Sequence, residues 1–127
     1  MQPNQKVLFV DDEPLLLAAI ARKLRRDFEV VTACGADEGL RCLESNGPFV
    51  AVVADMQMPG MDGIGLLKQA RELQPNAVRI MLTGNADQNT VHRAIVEAEI
   101  AKFLNKPCSP ETLRDAILDT VAKFKAA

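Results

Sequence analysis

Tryptophan and tyrosine are absent, and five phenylalanines are the whole aromatic complement of the 127 residues. With no indole or phenol to stack on an isoalloxazine ring, a flavin site has no support. No apolar run approaches the ~18 residues that a membrane span needs, and the first residues, Met-Gln-Pro-Asn-Gln-Lys, lack the apolar stretch of a secretory signal. Basic charge is also scarce. The formal net charge is −2, so no broad positive surface awaits nucleic acid. Lys23, Arg25 and Arg26 cluster, but they read as a solvated helix end without a groove-filling element. The cysteines, Cys34, Cys42 and Cys108, are odd in number and lack CxxC spacing, as expected of reduced thiols in a cytoplasmic protein. No histidine stands at zinc spacing from them. The one histidine, His92, sits beside Val91 and Arg93 and reads as a surface residue. Repeats, low-complexity tracts and linkers are likewise missing.

What remains is a composition that is 48% hydrophobic and 25% charged, at a length of about one domain. Val7–Val10 and Val50–Ala54 are continuous apolar runs, each ending at aspartate; Val78–Leu82 is a third run, interrupted only by Arg79. Phe28–Ala33 is more polar, through Glu29 and Thr32, and is expected at a sheet edge. Lys102–Leu104 is a short fifth strand. Between them lie helical patterns: Leu16, Leu17, Ile20 and Leu24; Ala36, Leu40 and Leu43; Leu66, Leu67, Ala70 and Leu73; Val91, Ala94, Ile95 and Ala98; and Leu113, Ile117, Val121 and Phe124. Pro14 suits a helix start, Asp87 can cap the fourth helix, and Ser109-Pro110-Glu111 joins cap, first-turn proline and first-turn acid. Strands without apolar/polar alternation are buried on both faces. Strict alternation with helices predicts right-handed crossovers, a five-stranded parallel sheet and a doubly wound three-layer α/β sandwich. Such folds bind ligands beyond the carboxyl ends of their strands.

The polar residues fall at those ends. Asp11 and Asp12 close the first strand, Asp55 the third and Thr83 the fourth, and Lys106 follows the fifth. Three converging carboxylates resist joint ionisation unless cations relieve them. Lys106 is one such cation, and a site of oxygen ligands suits Mg²⁺ as another. In such a pocket a carboxylate can attack phosphorus and form an acyl phosphate. The charge on the phosphoryl oxygens then needs positive partners and hydroxyl or N–H donors. Gly60, Gly63 and Gly65 do not make GxGxxG, and no Lys-Ser/Thr follows, so they read as loop residues. The methionines at 56, 58 and 61 are expected to pack beneath that loop.

Asp11-Asp12, the run Asp55-Met56-Gln57-Met58-Pro59-Gly60-Met61-Asp62-Gly63, Thr83-Gly84 and Lys106-Pro107 together resemble the receiver domain of bacterial response regulators. The resemblance spans Lys6 to about Lys123 and implies one receiver domain over 1–127, flavodoxin-like, with strand order 2-1-3-4-5. It implies that Asp55 is the phospho-acceptor, that Asp12 and Asp55 ligate Mg²⁺ (or Mn²⁺), that Asp11 acts mainly through water, and that the Gln57 backbone carbonyl completes the ligands. Lys106 would pair with the phosphoryl group and Thr83 would move to hydrogen-bond it. Lys106-Pro107 is expected to be cis, and Phe103, where tyrosine is common, fits the switch aromatic. Gln57 and Asn85 would tune the attack of water in dephosphorylation. The implied donor is a sensor histidine kinase or phosphotransfer protein. The implied reader is an output domain or downstream protein that recognises the surface of the fourth helix, fifth strand and fifth helix. Direct contact with nucleic acid or membrane is not expected, and the chain would be a monomer or a phosphorylation-dependent dimer. It would catalyse only its own phosphorylation and dephosphorylation. The alternative is an aspartyl-phosphate phosphatase or phosphotransferase acting on a separate substrate. Haloacid-dehalogenase-type hydrolases carry a second aspartate where Gln57 stands, which weighs against it. Ala98, where glycine is common, predicts that the fourth helix runs on smoothly.

Overall fold

The computed structural model describes residues 5–84 and 87–126. Five strands alternate with five helices: β1 (Lys6–Asp11), α1 (Pro14–Leu24), β2 (Glu29–Cys34), α2 (Ala36–Ser45), β3 (Ala51–Asp55), α3 (Gly63–Leu73), β4 (Val78–Thr83), α4 (Gln88–Ala98), β5 (Lys102–Asn105) and α5 (Pro110–Ala126). All neighbouring strands pair in parallel, in the order β2-β1-β3-β4-β5. The polar second strand is therefore at an edge, where its outer backbone groups and side chains can meet water. The three apolar runs occupy the centre.

Side chains along each central strand divide between two cores, because successive Cβ atoms point to opposite faces. Leu8 and Val10 join a core closed by α2, α3 and α4, through Leu43, Ile64, Leu67 and Ala94. Val7 and Phe9 join the other, closed by α1 and α5 through Leu17, Ile20, Leu113 and Ile117. Burying each of these large aliphatic side chains contributes roughly 1.5–3 kcal/mol. The unbroken apolar runs are thus explained by helices on both faces.

Three side chains expected to point inward do not. Leu73 is 41% exposed, Ile95 51% and Phe124 45%. Leu73 is the last residue of α3, where the chain turns off through Gln74. Ile95 stands about 100° around the helix from Ala94, outside the narrow stripe that buries only Ala94 and Ala98. Phe124 lies near the end of a 17-residue helix about 25 Å long, which outruns the four residues of β5.

The smooth continuation expected of the fourth helix is also corrected. The helix stops at Ala98, and Glu99 turns left-handed at φ 50° while its N–H still reaches the Ile95 carbonyl. A left-handed non-glycine residue costs roughly 1–2 kcal/mol. Arg79, buried within the β4 run, offsets this. Its Nε donates to the Ala98 carbonyl at 2.8 Å and one guanidinium nitrogen donates to Ala77 O at 2.9 Å. The Lys106–Pro107 bond is cis, and so is Gly47–Pro48.

Candidate functional site

The strand ends on the carboxyl edge open into a cleft of about 750 Å³, lined by Asp12, Asp55, Gln57, Thr83 and Lys106 among others. Asp11 and Asp55 stand at the last positions of the adjacent strands β1 and β3. Both are buried, at 2% and 7% exposure, whereas Asp12 is open to solvent. Carboxylate oxygens of the three lie within 4.8 Å of one another.

Lys106 reaches this cluster from the turn after β5. Its Nζ lies 3.1 Å from Asp11 Oδ2 and 3.2 Å from Asp55 Oδ1, bridging the two buried acids. Its backbone is held in place as well, with N–H donating to Thr83 O at 3.0 Å. Thr83 closes β4, is 4% exposed and lines the same cleft. Asp11 is fixed by a further bond, accepting from the Glu13 backbone N–H at 3.0 Å, two residues along the chain.

Burial pushes the Asp55 carboxyl above the ordinary carboxylate range; Lys106 opposes this, Asp11 adds to it, and the Gln57 backbone N–H pulls back. Burial alone would lower Lys106, but its hydrogen bond and charge interaction with Asp11, and those with Asp55, outweigh that and hold it above the usual lysine value. The pocket therefore has three acids against one ammonium. The donors that line it are oxygens, chiefly carboxylate, and the cleft leaves room for water. That chemistry fits a hard divalent cation such as Mg²⁺.

The loop after β3 is shaped by residues whose roles the sequence did not disclose. Asp62 lines the cleft, but its carboxylate caps α3, accepting from Gly65 N–H at 2.9 Å. Gly63 donates to Met56 O at 2.8 Å. A Cβ there would press into the Asp55 carbonyl oxygen, so only glycine lets the helix start so close beneath the acceptor strand. Met58 is buried and Met56 and Met61 are partly so, all against the core beneath the loop. Gln57 is exposed on the cleft wall. Phe103 is half-buried against the α2/α3/α4 core. Asn85 lies outside the described residues. His92 is exposed, and the three cysteines are free.

Comparison with known proteins agrees with this geometry. Residues 7–118 match the model of the response regulator receiver domain. The hydrogenase transcriptional regulatory protein HoxA of Cupriavidus necator is 36% identical over 115 residues, covering 91% of this chain and 24% of that protein. The chain thus spans about a quarter of that relative's length. The chemotaxis protein CheY-3 of Vibrio cholerae is 34% identical over 122 residues, covering 92% of both chains. The crystal structure of a CheY-like response regulator receiver domain protein from Methanospirillum hungatei superposes with a TM-score of 0.90 at 28% identity, covering 98% of each chain. Sequence match, strand order and the acidic cleft at the strand ends agree, and the chain belongs to the response regulator receiver domains, the phosphoaspartate modules of two-component signalling.

Proposed function

We propose that Asp55 accepts a phosphoryl group from a phosphohistidine on a sensor kinase or phosphotransfer protein, and that the resulting acyl phosphate switches the surface around α4, β5 and α5. The observation that carries this reading is the Lys106 ammonium, which bridges Asp11 and Asp55 at hydrogen-bond distance inside an open cleft. An Asp55 oxygen attacks phosphorus as the bond to the donor nitrogen breaks, and the donor imidazole keeps the electron pair. Lys106 already touches the attacking carboxylate, so its charge is in place for the phosphoryl oxygens without reorganisation. The Thr83 hydroxyl, at the end of the adjoining strand, is assigned to a second oxygen, and its movement is assigned to draw the Phe103 ring inward. Asp12 and Asp55, the Gln57 carbonyl, and Asp11 through water would hold Mg²⁺ (or Mn²⁺), whose charge offsets the excess of carboxylates and the negative charge of the incoming group. Gln57 and Asn85 are neutral amides and are assigned to the rate of water attack rather than to phosphorylation itself.

The chain acts on itself in this reading and turns over no separate substrate. An output domain or downstream protein reads the change, and the cytoplasm, where kinases of this kind present phosphohistidine, is the proposed compartment. The test is incubation with Mg²⁺ and acetyl phosphate followed by intact mass measurement. One added phosphoryl group is expected on the wild type and none on Asp55→Asn. Added mass that persists in that variant, or none in the wild type, refutes the assignment. Turnover of a phosphorylated metabolite that is lost with Asp55 would instead favour the hydrolase.

A further inference from the structure

Helix α4 is attached to the sheet unequally along its length. Its first six residues, Gln88 to Arg93, bury no side chain; Thr90 and Val91 are half-buried and the other four are exposed. The fully buried contacts, Ala94 and Ala98, come late. The C-terminal end is then tied by charge. Besides its bond to Ala98 O, Arg79 Nε reaches Glu99 O at 3.4 Å, and an Arg79 terminal nitrogen lies 3.6 Å from the Glu99 carboxylate. Arg71 of α3 meets the other Glu99 oxygen at 3.0 Å and donates to Glu97 O at 3.4 Å. Two arginines from two different elements thus converge on one carboxylate and on the last carbonyls of one helix. Cations there also complement the helix dipole. The guanidinium of Arg79 is buried, satisfied by the Ala98 and Ala77 carbonyls, and Glu99 is the carboxylate that faces its charge.

Arg79 and Thr83 occupy alternate positions of the same strand and so share one face, which is the face α4 covers through Met81 and Ala94. One end of α4 is tied at Arg79, and the other begins five residues after Thr83. We propose that Arg79, Arg71 and Glu99 form a fixed hinge, so that a change at the phosphorylated pocket displaces the N-terminal half of α4 about a C-terminal end that stays put. The proposal rests on the functional reading above for its trigger, but not for the fastening itself.

Hydrogen exchange on the full chain, read by mass spectrometry, separates the two. Glu99→Gln removes the charge and keeps the shape. Arg71→Met alters a side chain that is 40% exposed and endangers folding little. Without phosphodonor, both variants are expected to exchange about threefold to tenfold faster over residues 96–101, with no change over 88–94 or in β1. With acetyl phosphate and Mg²⁺, the wild type is expected to change over 88–94 and to stay within about twofold over 96–101. In the variants the phosphorylation response should spread into 96–101, which a merely structural contact would not produce. Unchanged exchange at 96–101 in both variants overturns the hinge. So does a wild-type response as large at 96–101 as at 88–94. Intact mass of the same samples reports the phosphoryl group: if none is taken up, the functional reading fails, while exchange in the untreated variants still decides the fastening.

Discussion

The same pocket raises the titration of both Asp55 and Lys106, so that at neutral pH it disfavours the charge of Asp55 and favours that of Lys106. Asp55 keeps its proton to higher pH when folded, chiefly because it is buried. Between its unfolded and folded titrations the native state therefore binds more protons, and stability falls as pH rises through that window. At neutral pH its charge is a net burden. Asp55→Asn is expected to be more stable than the wild type by about 1 kcal/mol at about pH 7, with the gain vanishing as pH drops below the ordinary carboxylate range. Thermal melts at both pH values check this, and an equal gain at both would count against it. Lys106 is shifted in the same direction, but its window lies above neutral pH, where Asp55's lies below it. Its raised value means that it stabilises the fold below the unfolded lysine titration, and that this is lost only as pH climbs through the folded one. Lys106→Met leaves two buried carboxylates facing each other at neutral pH. A loss of about 1–3 kcal/mol is expected by urea denaturation, together with loss of phosphorylation.

At the scale of elements, the placement of the acceptor depends on how closely α3 starts beneath β3. Gly63→Ala forces a Cβ against the Asp55 carbonyl and to 2.9 Å from Met56 Cα, both backbone atoms that cannot step aside. The variant is expected to lose about 2 kcal/mol or more and to phosphorylate more slowly, because the strand end itself must shift. Chemical denaturation and the rate of mass gain measure the two effects. Retention of both would mean that the loop yields where the geometry shows no room. The elements themselves were readable in the chain because each used a separate local signal. Apolar runs marked the strands, and Ser109, whose hydroxyl accepts from Thr112 N–H at 3.1 Å, marked the last helix as its composition promised. The end of α4 was not readable. No local residue at Ala98 or Glu99 demands a stop, and the arginine that stabilises the left-handed turn lies some 20 residues earlier in another element.

For the molecule as a whole, the excess of acid in the cleft is expected to make its stability depend on divalent cations. Any ion that binds only the folded pocket adds RT ln(1 + [ion]/Kd), about 1.4 kcal/mol at a tenfold excess over Kd. Mg²⁺ is expected to raise Tm in the wild type by a few degrees, reversibly with chelator, and to do so much less in Asp12→Asn. Equal shifts in both would place the ion elsewhere.

The sequence by itself determined that there would be a parallel sheet buried on both faces, and that Asp11, Asp12, Asp55, Thr83 and Lys106 would meet at one edge. Both follow from local patterns, since a polar residue that ends a buried strand must emerge where the strand emerges. Only the tertiary structure decided which groups touch. The ammonium that bridges Asp11 and Asp55 comes from 95 residues beyond Asp11, and no spacing rule ties an ion pair across that distance. The same holds for Arg79. In the sequence it is a charge misplaced within an apolar run. In the fold it is the group that completes the end of α4, because burial makes a guanidinium seek every carbonyl and carboxylate the neighbouring elements present.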